Sequence, residues 1–238
     1  MKIIDSENWS KQATNLIKRF ERQYSNTYVR KEREYYALFE IGCFLSLIDM
    51  YEKKKFNIKA KNLKDGIFRY LTTPNGDPDN FSYIEISKET ETYQIRQQVR
   101  IVTSKDERIY FTPDIVVIKG IAKILGKKDK LYANGRRTFF YVKSSKVIAA
   151  HECKSLEPFP ELFASFIGMF ILAHDWQAKG IKTSKKHTHL APSLFVGGRA
   201  RGFHLKIIEG YEEGYPINII TNIHSGFDKM KDRNYINI

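Results

Sequence analysis

At 238 residues, with 42% of them hydrophobic and 13% aromatic, the chain can bury a sizeable core, and its length suits one large domain or a core with insertions. Two cysteines, Cys43 and Cys153, exclude both a disulfide framework and a four-cysteine zinc site. The formal charge of +13 is regional: Lys119 to Lys146 nets +8, Lys179 to Lys206 nets +7, and the remainder nets −2, a pattern that suits a polyanionic partner and that plain solvated lysine faces would also give.

No apolar run approaches the roughly 20 residues of a membrane helix, and Met1 to Lys11 is too polar for a secretory signal. The expectation is a soluble, cytoplasmic protein with no membrane partner. A first helix is predicted from about Ser6 to Tyr24, with Trp9, Ala13, Leu16, Ile17 and Phe20 at helical spacing. A second runs from about Thr27 to Glu52, where Tyr35, Leu38, Ile41, Leu45 and Ile48 form one apolar stripe. Lys53 to Thr90 is mixed, and Thr72 to Asn80 has the Pro, Gly, Asn and Asp density of a surface loop, so this stretch reads as an insertion.

The period then changes to two. Tyr93, Ile95, Gln97, Val99 and Ile101 alternate, Ser104 to Glu107 turns, and RIYFTPDIVVI resumes, which predicts a hairpin. After a basic connector near 119–137, TFFYV and KVIAAHECK supply further strand residues ending at Lys154. Pro160 opens a helix that stops at Gly180. SLFVG and PINII give two short strands, with a short helix between them near His204 to Glu209. The core order is helix, strand, strand, strand, helix, strand: an α/β chain with an α+β mixed sheet, preceded by an N-terminal helical extension over 1–26.

Chemistry concentrates in two of these strands. Asp114 follows Pro113 in FTPDIVVI, and Glu152-Cys153-Lys154 closes AAHECKS. Residues two apart in a strand share a face, so Glu152 and Lys154 must emerge together while His151 and Cys153 point the other way. An unpaired carboxylate in such apolar sequence costs several kcal/mol unless a metal or a partner compensates it. A Lys154 ion pair to Asp114 or Glu152 at the sheet edge would place the same residues without any chemistry.

The Pro-Asp and Glu-x-Lys motifs, with an apolar helix directly after them, resemble the PD-(D/E)xK, restriction-endonuclease-like nucleases. The likeness covers roughly 27–220 in architecture and five residues as motif. It implies a restriction-endonuclease-like domain over 27–238, with insertions near 53–90 and 119–137, and Mg²⁺-dependent hydrolysis of DNA phosphodiester bonds to 5′-phosphate products. Restriction, recombination and phage defence are the settings it implies, as a homodimer or with a partner subunit. By the same resemblance Asp114, Glu152 and the backbone carbonyl of Cys153 hold Mg²⁺ or Mn²⁺. Lys154 orients or helps deprotonate the attacking water and offsets charge in the transition state. Many members add an acid from the helix before the sheet. Glu40, whose helical neighbours are Tyr36, Ala37, Cys43 and Phe44, is the candidate, with Glu34 and Asp49 as competitors.

The spacing from Asp114 to Glu152, 38 positions, is long and places GKKDKLYANGRR between the two strands. Arg136 and Arg137 in it are candidates to grip a nucleic-acid backbone, because arginine forks match phosphate geometry; a lysine-rich loop without that role is the plain alternative. Lys182, Lys185, Lys186, Arg199 and Arg201 form a second candidate surface. A nucleic-acid-binding module of the same fold without catalysis, or a member that cleaves RNA, are the other functional readings, since no recognisable element reads a 2′-hydroxyl. Gly120 to Lys127 lacks the spacing and the Ser or Thr of a phosphate loop, GGRARG lacks dinucleotide-binding spacing, and His187 and His189 lack partners for zinc.

Overall fold

The computed structural model describes residues 6–25, 35–73, 77–128, 130, 133–230 and 233–238. The first helix, α1 (Ser6–Glu21), is one-sided: Trp9, Ala13, Ile17 and Phe20 are buried and pack on α2 (Tyr35–Lys53). In α2 the apolar character wraps most of the way round, with Phe39, Cys43, Phe44, Leu47 and Tyr51 buried beside the predicted stripe, because α2 lies between α1 and a sheet. Positions 27–34, where the second helix was expected to begin and where Glu34 falls, lie outside the described residues.

The remaining elements follow in order: β1 (Asn57–Lys61), β2 (Tyr83–Lys88), β3 (Glu91–Gln97), β4 (Arg100–Val102), β5 (Tyr110–Phe111), β6 (Ile115–Lys119), β7 (Leu125–Lys128), β8 (Thr138–Lys143) and β9 (Val147–Lys154). Then come α3 (Pro160–Ala173), β10 (His189–Leu190), β11 (Ser193–Val196), α4 (Phe203–Gly214), β12 (Asn218–Ile220) and β13 (Tyr235–Ile236). The protein is mixed α/β: a seven-stranded sheet ordered β1-β2-β3-β6-β9-β11-β12, a four-stranded sheet ordered β5-β4-β8-β7, and the pair β10-β13. From β1 to β9 neighbours in the large sheet are antiparallel, and β9, β11 and β12 are parallel. Parallel neighbours need crossovers, which α3 and α4 supply.

Period-two alternation sends Ile115 and Val117 into the core shared with α1 and α2, and Val116 and Ile118 into the core shared with α3 and α4. The register of β6 on β9 shifts between Val117 and Ile118, so Ile148 is an extra residue and β9 bulges there. Two buried side chains meet the backbone groups on either side of the bulge: Trp176 Nε1 donates to the Ile148 carbonyl at 3.0 Å, and the Ala150 N–H donates to His174 Nε2 at 3.1 Å.

Several expectations shift. The segment 53–90, read as an insertion, supplies β1 and β2 and extends the large sheet by two strands, with β1 at its edge. The predicted hairpin forms, yet it divides between sheets: β3 pairs with β6 in the large one, β4 with β5 in the small one. TFFYV, as β8, also joins the small sheet, where it pairs with β7 from the basic connector. The helix opened by Pro160 ends at Ala173, because His174 and Trp176 turn aside to the bulge, and a 3₁₀ turn over Asp175–Lys179 carries the chain to Gly180 in the left-handed region (φ 63°). The short helix expected from His204 to Glu209 extends over Phe203–Gly214. Among the described residues no helix is long and apolar enough to cross a membrane.

Candidate active site

The register Ile115↔His151 places Asp114, one residue earlier, opposite Glu152, so the gap of 38 positions closes between adjacent strands. The intervening chain leaves to form the small sheet and returns. Asp114 is fixed at the strand end by backbone contacts, since the Cys153 N–H donates to Asp114 Oδ2 at 2.7 Å and the Gln98 N–H donates to the Asp114 carbonyl at 3.1 Å. Glu152 and Lys154 share a face of β9, whereas His151 stacks on Phe195 at 5.5 Å and Cys153 packs with the α1–α2 core, as alternation requires.

Lys154 Nζ lies 3.2 Å from Asp114 Oδ2 and 2.7 Å from Glu152 Oε2. The Asp114 charge also acts on the Glu152 carboxyl. Burial is the largest influence on Glu152, and with Asp114 beside it the carboxyl is pushed up to about 8 despite the opposing pull of Lys154. The Lys154 ammonium moves the other way: burial disfavours its charge, but the two carboxylates outweigh burial and hold its pKa above the usual lysine value. Lys154 is therefore a fixed cation at neutral pH.

Glu40 reaches the same cluster from α2 with only 7% of its surface exposed. Burial and then the Asp114 charge raise its pKa well above the usual carboxylate range. Of its competitors, Asp49 is engaged elsewhere, bonded at 2.5 Å to both Arg19 and Lys53. The residue joining Glu40 to Asp114 is Gln98, whose side-chain amide donates to Asp114 Oδ1 at 2.9 Å and to Glu40 Oε1 at 3.3 Å, with Gln97 adding a longer contact to Glu40 at 3.4 Å. Gln98 holds a left-handed backbone (φ 52°), unusual for a residue with a side chain, and this kink is where β3 ends and the chain crosses to the small sheet. The sequence carried one signal of this: two adjacent amides closing an otherwise alternating strand.

Cys43, one turn beyond Glu40, meets Cys153 in the layer beneath, and burial keeps both thiols above their usual pKa, so neither is a ready nucleophile. On the other side of Lys154, Ser155 Oγ and His224 Nε2 are 2.9 Å apart, and the His224 ring stacks on Trp9 at 5.3 Å, which ties α1 to the end of β9.

Three carboxyl groups crowd one ammonium, and burial with their mutual repulsion raises the pKa of Glu152 and Glu40; a divalent cation placed among them would favour their ionised forms. Among the described residues no group of three or more His, Cys, Asp or Glu side chains is arranged as a metal cage. Asp114 and Glu152 offer two hard oxygen donors already drawn around a cationic group. That donor set fits Mg²⁺, which keeps several waters and commonly takes one or two carboxylates plus substrate phosphate oxygens.

The candidate phosphate-binding residues separate into three places. Arg199 and Arg201 are exposed on the loop after β11, whose Gly197 and Gly198 N–H groups donate at 2.9 Å to the Lys154 and Leu156 carbonyls, so this pair flanks the carboxylates. Lys182, Lys185 and Lys186 precede β10, at the opposite end of β11 from Val196, the partner of Lys154. Arg136 and Arg137 are exposed just ahead of β8 on the small sheet. No protein family, characterised protein or solved structure matches the chain.

Proposed function

We propose that the cluster of Asp114, Glu152 and Lys154 is the active centre of a Mg²⁺-dependent nuclease that hydrolyses phosphodiester bonds, with DNA as the substrate. The observation that carries this reading is the Lys154 ammonium held by two carboxylates at one sheet margin, with a third, Glu40, joined to them through Gln98. A purely structural ion pair needs one carboxylate; three largely buried carboxyl groups, two of them with raised pKa values, suit a site that ionises when it takes up a divalent cation. The order α2, β3, β6, β9, α3, β11 also supports a restriction-endonuclease-like core, to which β1, β2 and the small sheet are additions.

Asp114 and Glu152 would hold the ion, together with the main-chain carbonyl of Cys153. Bound there, Mg²⁺ supplies Lewis-acid polarisation of the phosphate and a lower pKa for an attacking water. Lys154, whose charged form both carboxylates favour, orients the attacking water through its Nζ and offsets negative charge as it grows on the phosphate oxygens. Gln98 keeps Asp114 and Glu40 in register through its amide, and the buried setting strengthens each of these interactions.

Incubating plasmid and single-stranded DNA with Mg²⁺, Mn²⁺ or EDTA tests the reading. The wild type is expected to cleave with either metal and not with EDTA, and Asp114→Ala and Lys154→Ala to lose at least about a hundredfold in rate while still binding DNA. Metal-dependent cleavage retained by either variant overturns the assignment, as does an absence of cleavage by the wild type.

A further inference from the structure

We propose that the loop Gly197–Gly202 and the start of α4 form a docking surface for a single strand of nucleic acid, on which Phe203 stacks an unpaired base. The inference rests on the proposed nuclease centre only for the direction in which the strand leads; the binding itself requires no cleavage.

Among the described residues eight large apolar side chains are exposed, and three of them lie at the starts of α3 and α4. Phe203 is 70% exposed, Leu205 46% and Phe159 42%. Phe159 caps the start of α3 and Phe203 opens α4; the two helix starts are neighbours, since the rings of Phe163 and His204 meet at 6.1 Å. Single exposed apolar residues need no explanation, but two exposed phenyl rings and a leucine at neighbouring helix starts do.

The rings alternate with charge. Arg199, Arg201 and Lys206 are exposed before and after Phe203 in the chain, three cations set against the carboxylate of Glu157, which lies against Gly198. Cations interleaved with aromatic faces match a partner that has phosphates along a flexible backbone and flat rings free to stack. A duplex offers the phosphates but keeps its bases stacked and out of reach, so the aromatic component favours a single strand. An acidic protein would meet the arginines but would leave Phe203 without a matching face.

Position supports the same partner. The loop is anchored to the end of β9 by the Gly197 and Gly198 bonds to Lys154 and Leu156, so a strand lying on Arg199, Arg201 and Phe203 passes alongside the Asp114–Glu152–Lys154 cluster. Tyr36, 71% exposed, sits one helical turn before Glu40 in α2.

The test is fluorescence anisotropy in EDTA with the full chain and labelled strands of equal length: single-stranded DNA, single-stranded RNA, an abasic single strand and duplex DNA. The wild type is expected to hold the base-bearing strands about tenfold more tightly than the abasic strand. Phe203→Ala should abolish that advantage and leave the abasic strand and the duplex unchanged, Phe203→Trp should retain it, and Arg199→Ala with Arg201→Ala should weaken all four. The proposal is overturned if Phe203→Ala binds every probe as the wild type does, or weakens duplex and single strand alike. It also fails if its only effect is to convert a dimer to a monomer in light scattering, which would make the face an interface between copies. Single-strand binding with no Mg²⁺-dependent cleavage sinks the nuclease reading alone, whereas cleavage with Phe203→Ala binding unchanged sinks the docking surface alone.

Discussion

Glu152 is held between opposing influences, with burial and Asp114 pushing its pKa up to about 8 and Lys154 drawing it back. Its ordinary value is 4.5, so between those two pH values the folded chain keeps a proton that the unfolded chain gives up. The stability this contributes is complete below pH 4.5 and is lost as pH rises towards 8, by up to about 1.4 kcal/mol per pH unit. Glu40 is shifted in the same direction. In Glu152→Gln the Glu152 part of that loss disappears, so in EDTA the variant should melt above the wild type at pH 8 and the gap should close as pH falls to 4.5. A gap of constant size across that range would show that Glu152 is not the group titrating. Asp114, Glu152 and Lys154 were legible because strand alternation places Glu152 and Lys154 side by side whatever the rest of the fold does. Gln98 was not, since its role comes from a left-handed backbone that breaks the alternation, and no propensity announces a strained residue of that type.

The loop from Gly197 to Gly202 must lie flat against the chain leaving β9. A Cβ placed on Gly198 would stand 2.6 Å from the Glu157 Cα, a backbone atom that cannot swing aside. Gly198→Ala should therefore lower the thermal midpoint, by about 1–3 kcal/mol in stability, and weaken strand binding through the displaced arginines. Gly210→Ala is the matched control: it lies within α4 with nothing within 4 Å of its Cβ, so it should leave the midpoint unchanged or raise it. Equal losses in the two variants would refute the close-approach argument. Element types in this half of the molecule were well marked, Pro160 opening α3 and the two apolar runs giving β11 and β12. Where α3 stops was not, because His174 and Trp176 leave helical geometry to meet the bulge in β9, a demand made by a strand more than 20 positions earlier.

Across the whole molecule, periodicity named the strands but could not say which sheet each would join. Arg100 to Val102 and Thr138 to Lys143 have the same composition as strands of the large sheet and pair with each other in the small one. The segment 53–90 read as an insertion because β1, the edge strand, has no fully buried residue and β2 beside it buries only Ile84 and Ile86. The regional charge was plain in the sequence; its separation into a patch beside the carboxylates, a patch at the far end of β11 and a patch on the small sheet was not. If Arg136 and Arg137 contact phosphates, replacing both by Ala should weaken duplex binding and reduce the slope of log affinity against log salt by about 2, measured by titration at several ionic strengths. An unchanged slope would remove the small sheet from the binding surface. The small sheet matters in another way. It joins the large one through four connections, and two of them, one starting at Gln98 and the other ending at Asp114, grip each other by main chain and side chain alike. A pull on the small sheet along this pair would therefore reach Asp114, a carboxylate of the cluster, directly.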